Sequence, residues 1–151
     1  MSYDLIIIGS GPAGYVAAVR SAQLGFKTIV IEKALLGGVC LNWGCIPTKA
    51  LLKSVEALNM ARHAETYGVK INGTVEPDIK AIVQRSRQVA AQMTKGIEFL
   101  LNKYKIDVIR GRGTVKGPGQ VAVGDQVLEG KNILIATGSK PNSLPGASID
   151  G

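Results

Sequence analysis

The chain has 151 residues, of which 46% are hydrophobic and 19% are charged, a composition typical of a folded globular domain and not of a disordered chain. Its length allows one domain with a substantial core and not two large ones. No apolar run is long enough to span a bilayer, and no segment resembles a secretory signal. We therefore expect no membrane association and a cytoplasmic location.

The net charge of +7 comes from 18 Lys and Arg against 11 Asp and Glu. The basic residues are scattered, and several fall on one predicted helix, where solvated charge is the usual explanation. Aromatic residues make up 5% of the chain, which leaves few side chains that could stack on bases. We therefore expect no nucleic-acid partner, and a cofactor with phosphates explains a basic site better.

The first 32 residues predict a βαβ unit. Residues 4–8 (DLIII) form an apolar run that ends in a glycine cluster, and residues 28–31 (TIVI) form a second apolar run. Both patterns indicate buried strands. Residues 13–24 between them predict a helix with Gly25 at its C-cap. Because both strands are apolar throughout, we expect a parallel sheet that is covered on both faces.

The middle of the chain predicts a loop, two helices and a strand. Residues 34–44 contain three glycines and indicate a loop, after which Pro47 suits the first turn of a helix. Residues 79–104 keep a helical period and predict a long amphipathic helix. Residues 107–109 predict another core strand.

The last third of the chain predicts short strands. Residues 111–129 alternate apolar segments with Gly-Pro-Gly and Gly-Asp turns, which favours a small antiparallel meander, and residues 132–136 predict a final strand. The expected fold is therefore α/β, a Rossmann-like parallel sheet with helices on both faces plus the meander. We expect one domain over residues 1–146 and the start of a linker over residues 147–151.

Residues 9–14 (GSGPAG) match the G-x-G-x-x-G pattern, with a predicted strand before it, a helix after it and an acid, Glu32, at the end of the second strand. In this motif Gly9 permits the tight turn, Gly11 lets the backbone approach a pyrophosphate, and Gly14 lets helix and strand pack closely. Glu32 can accept a hydrogen bond from a ribose hydroxyl. The pattern predicts a dinucleotide site and does not by itself separate FAD from NAD.

The two cysteines, Cys40 and Cys45, have three interpretations. A metal site needs about four ligands, and the one histidine of the sequence, His63, lies far along the following helix. A structural disulfide would close a very short loop, which contributes roughly 2 kcal/mol, and the cytosol would tend to reduce it. A redox-active pair is favoured, because Cys45 precedes a helix start whose N–H groups, together with Lys49, favour a thiolate.

The segment GGVCLNWGCIPTKALL, residues 37–52, resembles the redox-disulfide segment of the flavin-dependent pyridine nucleotide-disulfide oxidoreductases. The resemblance covers essentially the whole chain, including Glu32-Lys33, Gly111-Arg112-Gly113 and ILIATGSKP. It implies that FAD is the dinucleotide, that Cys45 lies next to the flavin ring, and that Cys40 is the thiol that exchanges with the substrate.

The resemblance also implies cofactor contacts outside the glycine motif. These involve Lys33 and Gly38, Lys49 near the flavin ring, Gly113 near the adenine, and Thr137 and Gly138 near the pyrophosphate and flavin. The family often has threonine after the paired glycines, where this chain has Val39. A hydroxyl contact is therefore absent at that position, and only backbone contact remains.

Within the family, the residues around the second cysteine fit members that oxidise dihydrolipoamide better than glutathione reductases, while mercuric and trypanothione reductases stay open. The implied partners are NAD as co-substrate, the lipoyl domains of 2-oxo acid dehydrogenase or glycine cleavage complexes, and a second subunit in a homodimer. The family's NAD-binding domain and its His–Glu acid/base pair have no match in these residues. We therefore expect an N-terminal FAD-binding portion that is inactive by itself; a non-catalytic FAD-binding module is the alternative.

Overall fold

The computed structural model describes residues 2–140, 142 and 144–146. The elements in chain order are β1 (Ser2–Ile8), α1 (Pro12–Gln23), β2 (Thr28–Glu32), α2 (Gly38–Asn42), α3 (Cys45–Arg62), a short 3₁₀ helix (Ala64–Tyr67), α4 (Ile79–Lys103), β3 (Asp107–Arg110), β4 (Gly113–Gly117), β5 (Gln120–Val123) and β6 (Gln126–Ile135). The linker expected over residues 147–151 lies outside the described residues.

The described strands form one six-stranded sheet in the order β3-β2-β1-β6-β5-β4. Strands β3, β2 and β1 pair in parallel, and β6 adds to the other side of β1, also in parallel. Strands β4, β5 and β6 pair antiparallel. The α/β class, the parallel sheet and the antiparallel meander expected from the sequence are therefore confirmed.

Strand β6 belongs to both parts of the sheet, whereas the sequence predicts two separate strands in this region. Its first residues, up to Glu129, pair with β5, and its later residues pair with β1 as far as Ile135 opposite Ile8. Gly130 lies between the two parts, and a Cβ at that position would approach the Ile6 side chain to 2.8 Å. The glycine therefore marks a close approach to β1 and not a turn, so the strand continues through it.

The two faces of the sheet are covered differently. Successive side chains of a strand point to opposite faces, so Ile7 lies on one face and its neighbours Ile6 and Ile8 lie on the other. The first face packs against helices, in a buried cluster of Ile7, Ala18, Val30, Leu36, Leu41, Ile97, Leu101 and Ile106. The second face packs against the meander, in a cluster of Tyr3, Ile6, Ile8, Ile29, Ile31, Val121, Val123 and Leu128.

This cover differs from the expected helices on both faces. In the described part of the chain, the second cluster draws its partners from β5 and from the start of β6. Continuously apolar strands indicate that both faces are buried, but they do not indicate which elements bury them. No helix of the described residues is long and apolar enough to cross a membrane.

The segment that carries the cysteines is more helical than its glycines suggest. Helix α2 forms inside the predicted loop, after Gly37 adopts a left-handed conformation with φ +90°. Helix α3 begins at Cys45 and not at Pro47. Helix propensity disfavours glycine, so a short helix that begins on Gly38 leaves no helical signal in the sequence.

The contact between α1 and the end of β1 depends on Gly14. A Cβ at Gly14 would overlap the carbonyl oxygen of Gly9, whereas a Cβ at Gly96, in α4, would meet no atom within 4 Å. We expect Gly14→Ala to lower the free energy of unfolding by about 1–3 kcal/mol through overpacking. Gly96→Ala is expected to raise it by up to about 1 kcal/mol, because alanine is the better helix former.

Urea unfolding of the two variants beside the wild type measures both changes. The interpretation of Gly14 would be wrong if both glycine-to-alanine changes raised the midpoint.

Candidate cofactor and disulfide site

The carboxyl ends of the parallel strands meet at one edge of the sheet. Gly9 follows β1, Glu32 ends β2, Arg110 ends β3, and Thr137 comes two residues after β6. In open α/β sheets, ligands bind in the crevice outside these ends. Gly9, Glu32 and Thr137, which the sequence predicts as cofactor residues, therefore lie at the same edge of the sheet.

The three motif glycines have different surroundings. A Cβ at Gly9, whose φ is +101°, would overlap the Ala136 carbonyl oxygen and lie 3.2 Å from the Thr137 Cα, while one at Gly14 would overlap the Gly9 carbonyl oxygen. A Cβ at Gly11 would meet nothing within 4 Å. The first and third glycines are thus required by contacts within the protein, and the space beside Gly11 is open to a ligand.

Helix α1 begins directly at this open space. Its N-cap is Gly11, no side chain caps it, and its first turn holds no acid. The first helical hydrogen bond runs from the Tyr15 N–H to the Gly11 carbonyl, 3.0 Å. The N–H groups of the first turn have no intrahelical partner and, with the helix dipole, favour an anion such as a phosphate.

Glu32 is only 7% exposed and accepts three hydrogen bonds. Its Oε2 accepts from the Ser10 backbone N–H at 2.8 Å and from the Ser10 hydroxyl at 2.6 Å, and its Oε1 accepts from the Ala34 N–H at 2.8 Å. Burial raises the pKa of Glu32, but these hydrogen bonds together lower it below its ordinary value. A carboxylate has roughly four acceptor positions, and hydrogen bonds within the protein already occupy most of those of Glu32.

The backbone after β3 closes over the end of β2. The Gly111 N–H donates to the Glu32 carbonyl at 2.9 Å, and Arg110 Nη1 donates to the Ala34 carbonyl at 2.6 Å. A Cβ at Gly113 would lie 3.1 Å from the Ile8 side chain, so β4 begins against the sheet beside this edge. Lys33 is exposed next to Glu32.

The two cysteines face each other across Gly44. Cys40 lies on α2 and is half-buried, Cys45 is the first residue of α3 and is exposed, and both thiols are free. A hydrogen bond with the Cys45 thiol, together with burial, raises the pKa of Cys40, and the positive charge of Lys49 opposes this increase. A Cβ at Gly44 would lie 3.2 Å from the Val39 carbonyl oxygen, closer than an ordinary contact, so a glycine at this position relieves crowding between α2 and the start of α3.

The cysteine segment rests on the glycine loop. The Gly37 N–H donates to the Ser10 carbonyl at 3.0 Å, and a Cβ at Gly38 would lie 2.8 Å from the Gly11 Cα. Gly38 therefore packs against the backbone of the motif at Gly11. Thr137 and Gly138 are exposed residues after β6, and Thr137 lies beside Gly9. Ser10 and Gly37 had no functional signal in the sequence, because the motif pattern leaves the position of Ser10 unspecified.

In the described part of the chain, the two cysteines lie in no cluster of side chains that could bind a metal ion. Among the described residues, no three His, Cys, Asp or Glu side chains lie close enough to share an ion. His63 caps the far end of α3, where its Nδ1 lies 2.8 Å from the Asn59 carbonyl oxygen.

The lowered pKa of Glu32 predicts a pH dependence of stability. Its contribution is complete above the pKa of the unfolded chain, about 4.3 for Glu, and is lost as the pH falls through the lower folded value. We expect the free energy of unfolding to decrease as the pH is lowered from about 5. Glu32→Gln should make this decrease with pH less steep. Urea unfolding between pH 3 and pH 7 measures both.

Glu56→Gln is the matched control, because that exposed carboxylate pairs with Lys53 on the same helix. An equal effect of the two substitutions on the slope would contradict the role given to Glu32.

Comparison with known proteins supports a relationship over the full chain. The family model for pyridine nucleotide-disulphide oxidoreductase matches residues 3–151. Proteins named dihydrolipoyl dehydrogenase from Rhizobium etli, Chlorobaculum tepidum and Bacillus subtilis are 48%, 47% and 44% identical, each over 99% of this chain. The matches cover 35%, 33% and 34% of those relatives, so the chain spans about a third of their length.

A protein named leghemoglobin reductase from Vigna unguiculata is 45% identical over 97% of this chain, which covers 29% of that relative. Both names, dehydrogenase and reductase, describe oxidoreductases. The range matched by the family model, residues 3–151, includes the glycine motif, both cysteines and the meander. The chain belongs to the pyridine nucleotide-disulphide oxidoreductase family.

Proposed function

We propose that these residues are the FAD-binding and disulfide-bearing portion of a dihydrolipoyl dehydrogenase, which oxidises dihydrolipoamide with NAD as the final acceptor. One observation supports this function above the others. Two free thiols in contact lie on a segment that rests directly on the glycine loop of a dinucleotide site. Such an arrangement brings a reducible disulfide next to a bound electron carrier.

The residues present fit FAD as that carrier. Gly9, Gly11 and Gly14 with the start of α1 would hold the pyrophosphate, and Glu32 would accept a ribose hydroxyl. Further contacts would come from Lys33, Gly38, Lys49, Gly113, Thr137 and Gly138. When bound, FAD supplies the two-electron chemistry that links a dithiol to NAD.

The cysteines would carry the exchange with the substrate. One thiolate of dihydrolipoamide attacks the Cys40 sulfur of the Cys40–Cys45 disulfide, and the electron pair of the broken bond passes to Cys45 as a thiolate. The second substrate thiolate then attacks the substrate sulfur bonded to Cys40, which releases a cyclic disulfide and leaves Cys40 reduced. Cys45 is exposed at the start of α3, where the helix N-terminus stabilises negative charge.

The remaining partners belong to the proposal for the whole protein. They are the lipoyl domains of 2-oxo acid dehydrogenase or glycine cleavage complexes, and a second subunit in a homodimer. The name that these relatives share, dihydrolipoyl dehydrogenase, supports this substrate above glutathione, mercuric ion or trypanothione. A reducing cytoplasm suits a disulfide that must be opened in every cycle.

A dithiol titration of the protein loaded with FAD tests the roles of the two cysteines. We expect reduction to produce a long-wavelength charge-transfer absorbance, because a Cys45 thiolate next to bound FAD would donate electron density to it. Cys45→Ser should abolish this absorbance, and Cys40→Ser should show it without added dithiol, since Cys45 can no longer be held in the disulfide. A wild type that binds FAD and never shows the band would favour a non-catalytic FAD-binding module.

Steady-state turnover tests the expectation for the 151 residues by themselves. We expect no reduction of NAD by dihydrolipoamide, because His63 is the one histidine of the sequence and lies 18 residues beyond Cys45 on a continuous helix, roughly 27 Å along its axis. No other histidine is present to act as the acid and base. Formation of NADH by the purified chain would contradict this prediction.

A further inference from the structure

Helix α4 reaches across to the segment that joins the two cysteines. The Thr94 hydroxyl donates to Oδ1 of Asn42 at 2.9 Å, and Arg87 Nη1 lies 3.4 Å from the Asn42 carbonyl oxygen. A third bond runs from Arg85 Nη1 to the Ala50 carbonyl at 2.9 Å, inside α3. Side chains from one helix therefore contact the backbone on both sides of Cys45.

Asn42 is the buried centre of these contacts. It is 7% exposed, lies two residues after Cys40, and ends α2. Its Nδ2 donates to the carbonyl oxygens of Leu36 and Gly38, each at 2.9 Å, while Oδ1 accepts from Thr94. Both amide hydrogens and the amide oxygen have partners, so the side chain has one favoured orientation.

These hydrogen bonds of Asn42 matter because α2 has little stability of its own. It contains five residues and begins on Gly38 after a left-handed Gly37, and so short a helix is marginal without tertiary contacts. A disulfide requires a narrow geometry, with the two Cα atoms roughly 4.4–6.8 Å apart. A segment that moved freely between Cys40 and Cys45 would spend less time in that geometry.

We propose that Asn42 and Thr94 are positioning residues that hold Cys40 in register with Cys45 and so favour the disulfide over the dithiol. Neither side chain touches the sulfurs in the contacts described; both act through the backbone of α2. The proposal rests on the proposed function, because positioning of the pair matters to catalysis only if the two thiols interconvert with a disulfide.

Equilibration of the full 151-residue chain with glutathione measures this effect. The Cys40 and Cys45 thiols pass two electrons and two protons to glutathione disulfide, which forms the protein disulfide and two molecules of glutathione. We expect Thr94→Val to lower this equilibrium constant about 5- to 10-fold; a tenfold change corresponds to about 30 mV for a two-electron couple. Thr94→Ser keeps the hydroxyl and is expected to keep the wild-type constant.

Ser86→Ala is the matched control. Ser86 lies on the same helix, is 2% exposed, and donates its hydroxyl to the Val83 carbonyl of α4 at 2.7 Å. Its loss removes a buried hydroxyl without touching the cysteine segment, so the equilibrium constant should not change. An equal fall in Ser86→Ala and Thr94→Val would show general destabilisation and overturn the proposal.

The double variant of Asn42→Ala and Thr94→Val distinguishes loss of the hydrogen bond between the two residues from a general loss of stability. The Thr94 hydroxyl lies nearest to Asn42 Oδ1 and also 3.4 Å from the Leu36 carbonyl oxygen. Adding Thr94→Val to Asn42→Ala should therefore lower the constant much less than Thr94→Val does in the wild type. A fully additive effect would contradict the proposal, and so would a Thr94→Val constant equal to that of the wild type. If the wild type formed no Cys40–Cys45 disulfide at any glutathione ratio, the proposed function would fail as well.

Discussion

Ser10 joins the three parts of the candidate site through hydrogen bonds from all of its polar groups. Its backbone N–H and its hydroxyl donate to the buried Glu32 carboxylate, and its carbonyl accepts from the Gly37 N–H. It is fully buried, so each of these groups requires a protein partner. The turn after β1, the end of β2 and the start of the cysteine segment therefore take one arrangement together.

Strand β6 connects the two parts of the sheet. Because β6 pairs with β5 at its start and with β1 at its end, the meander is continuous with the parallel strands. It folds back over the face that the helices leave open, where Val121 and Leu128 join Ile6 and Ile29 in one cluster. The carboxyl end of β6 then lies beside Gly9, which places Thr137 at the site.

Helix α4 links the core to the segment that carries the two cysteines. Its buried Ile97 and Leu101 pack against the sheet, and one turn earlier Thr94 holds the segment between the cysteines. The cysteine segment is thus attached to the glycine loop through Gly37 and to α4 through Asn42. A short helix with glycines at its start acquires its position from these contacts and not from its own propensity.

The sequence by itself determined the βαβ unit, the long helix, the glycine motif with its acid and the cysteine spacing, because each depends on a local pattern. Tertiary structure decided the rest. Only packing shows that the meander covers one face, since an apolar strand pattern indicates burial but not which element packs on the strand. Only packing brings Thr94, which is 52 residues from Asn42, to the cysteine segment. No local sequence pattern predicts which distant group a single polar residue on a helix will bond.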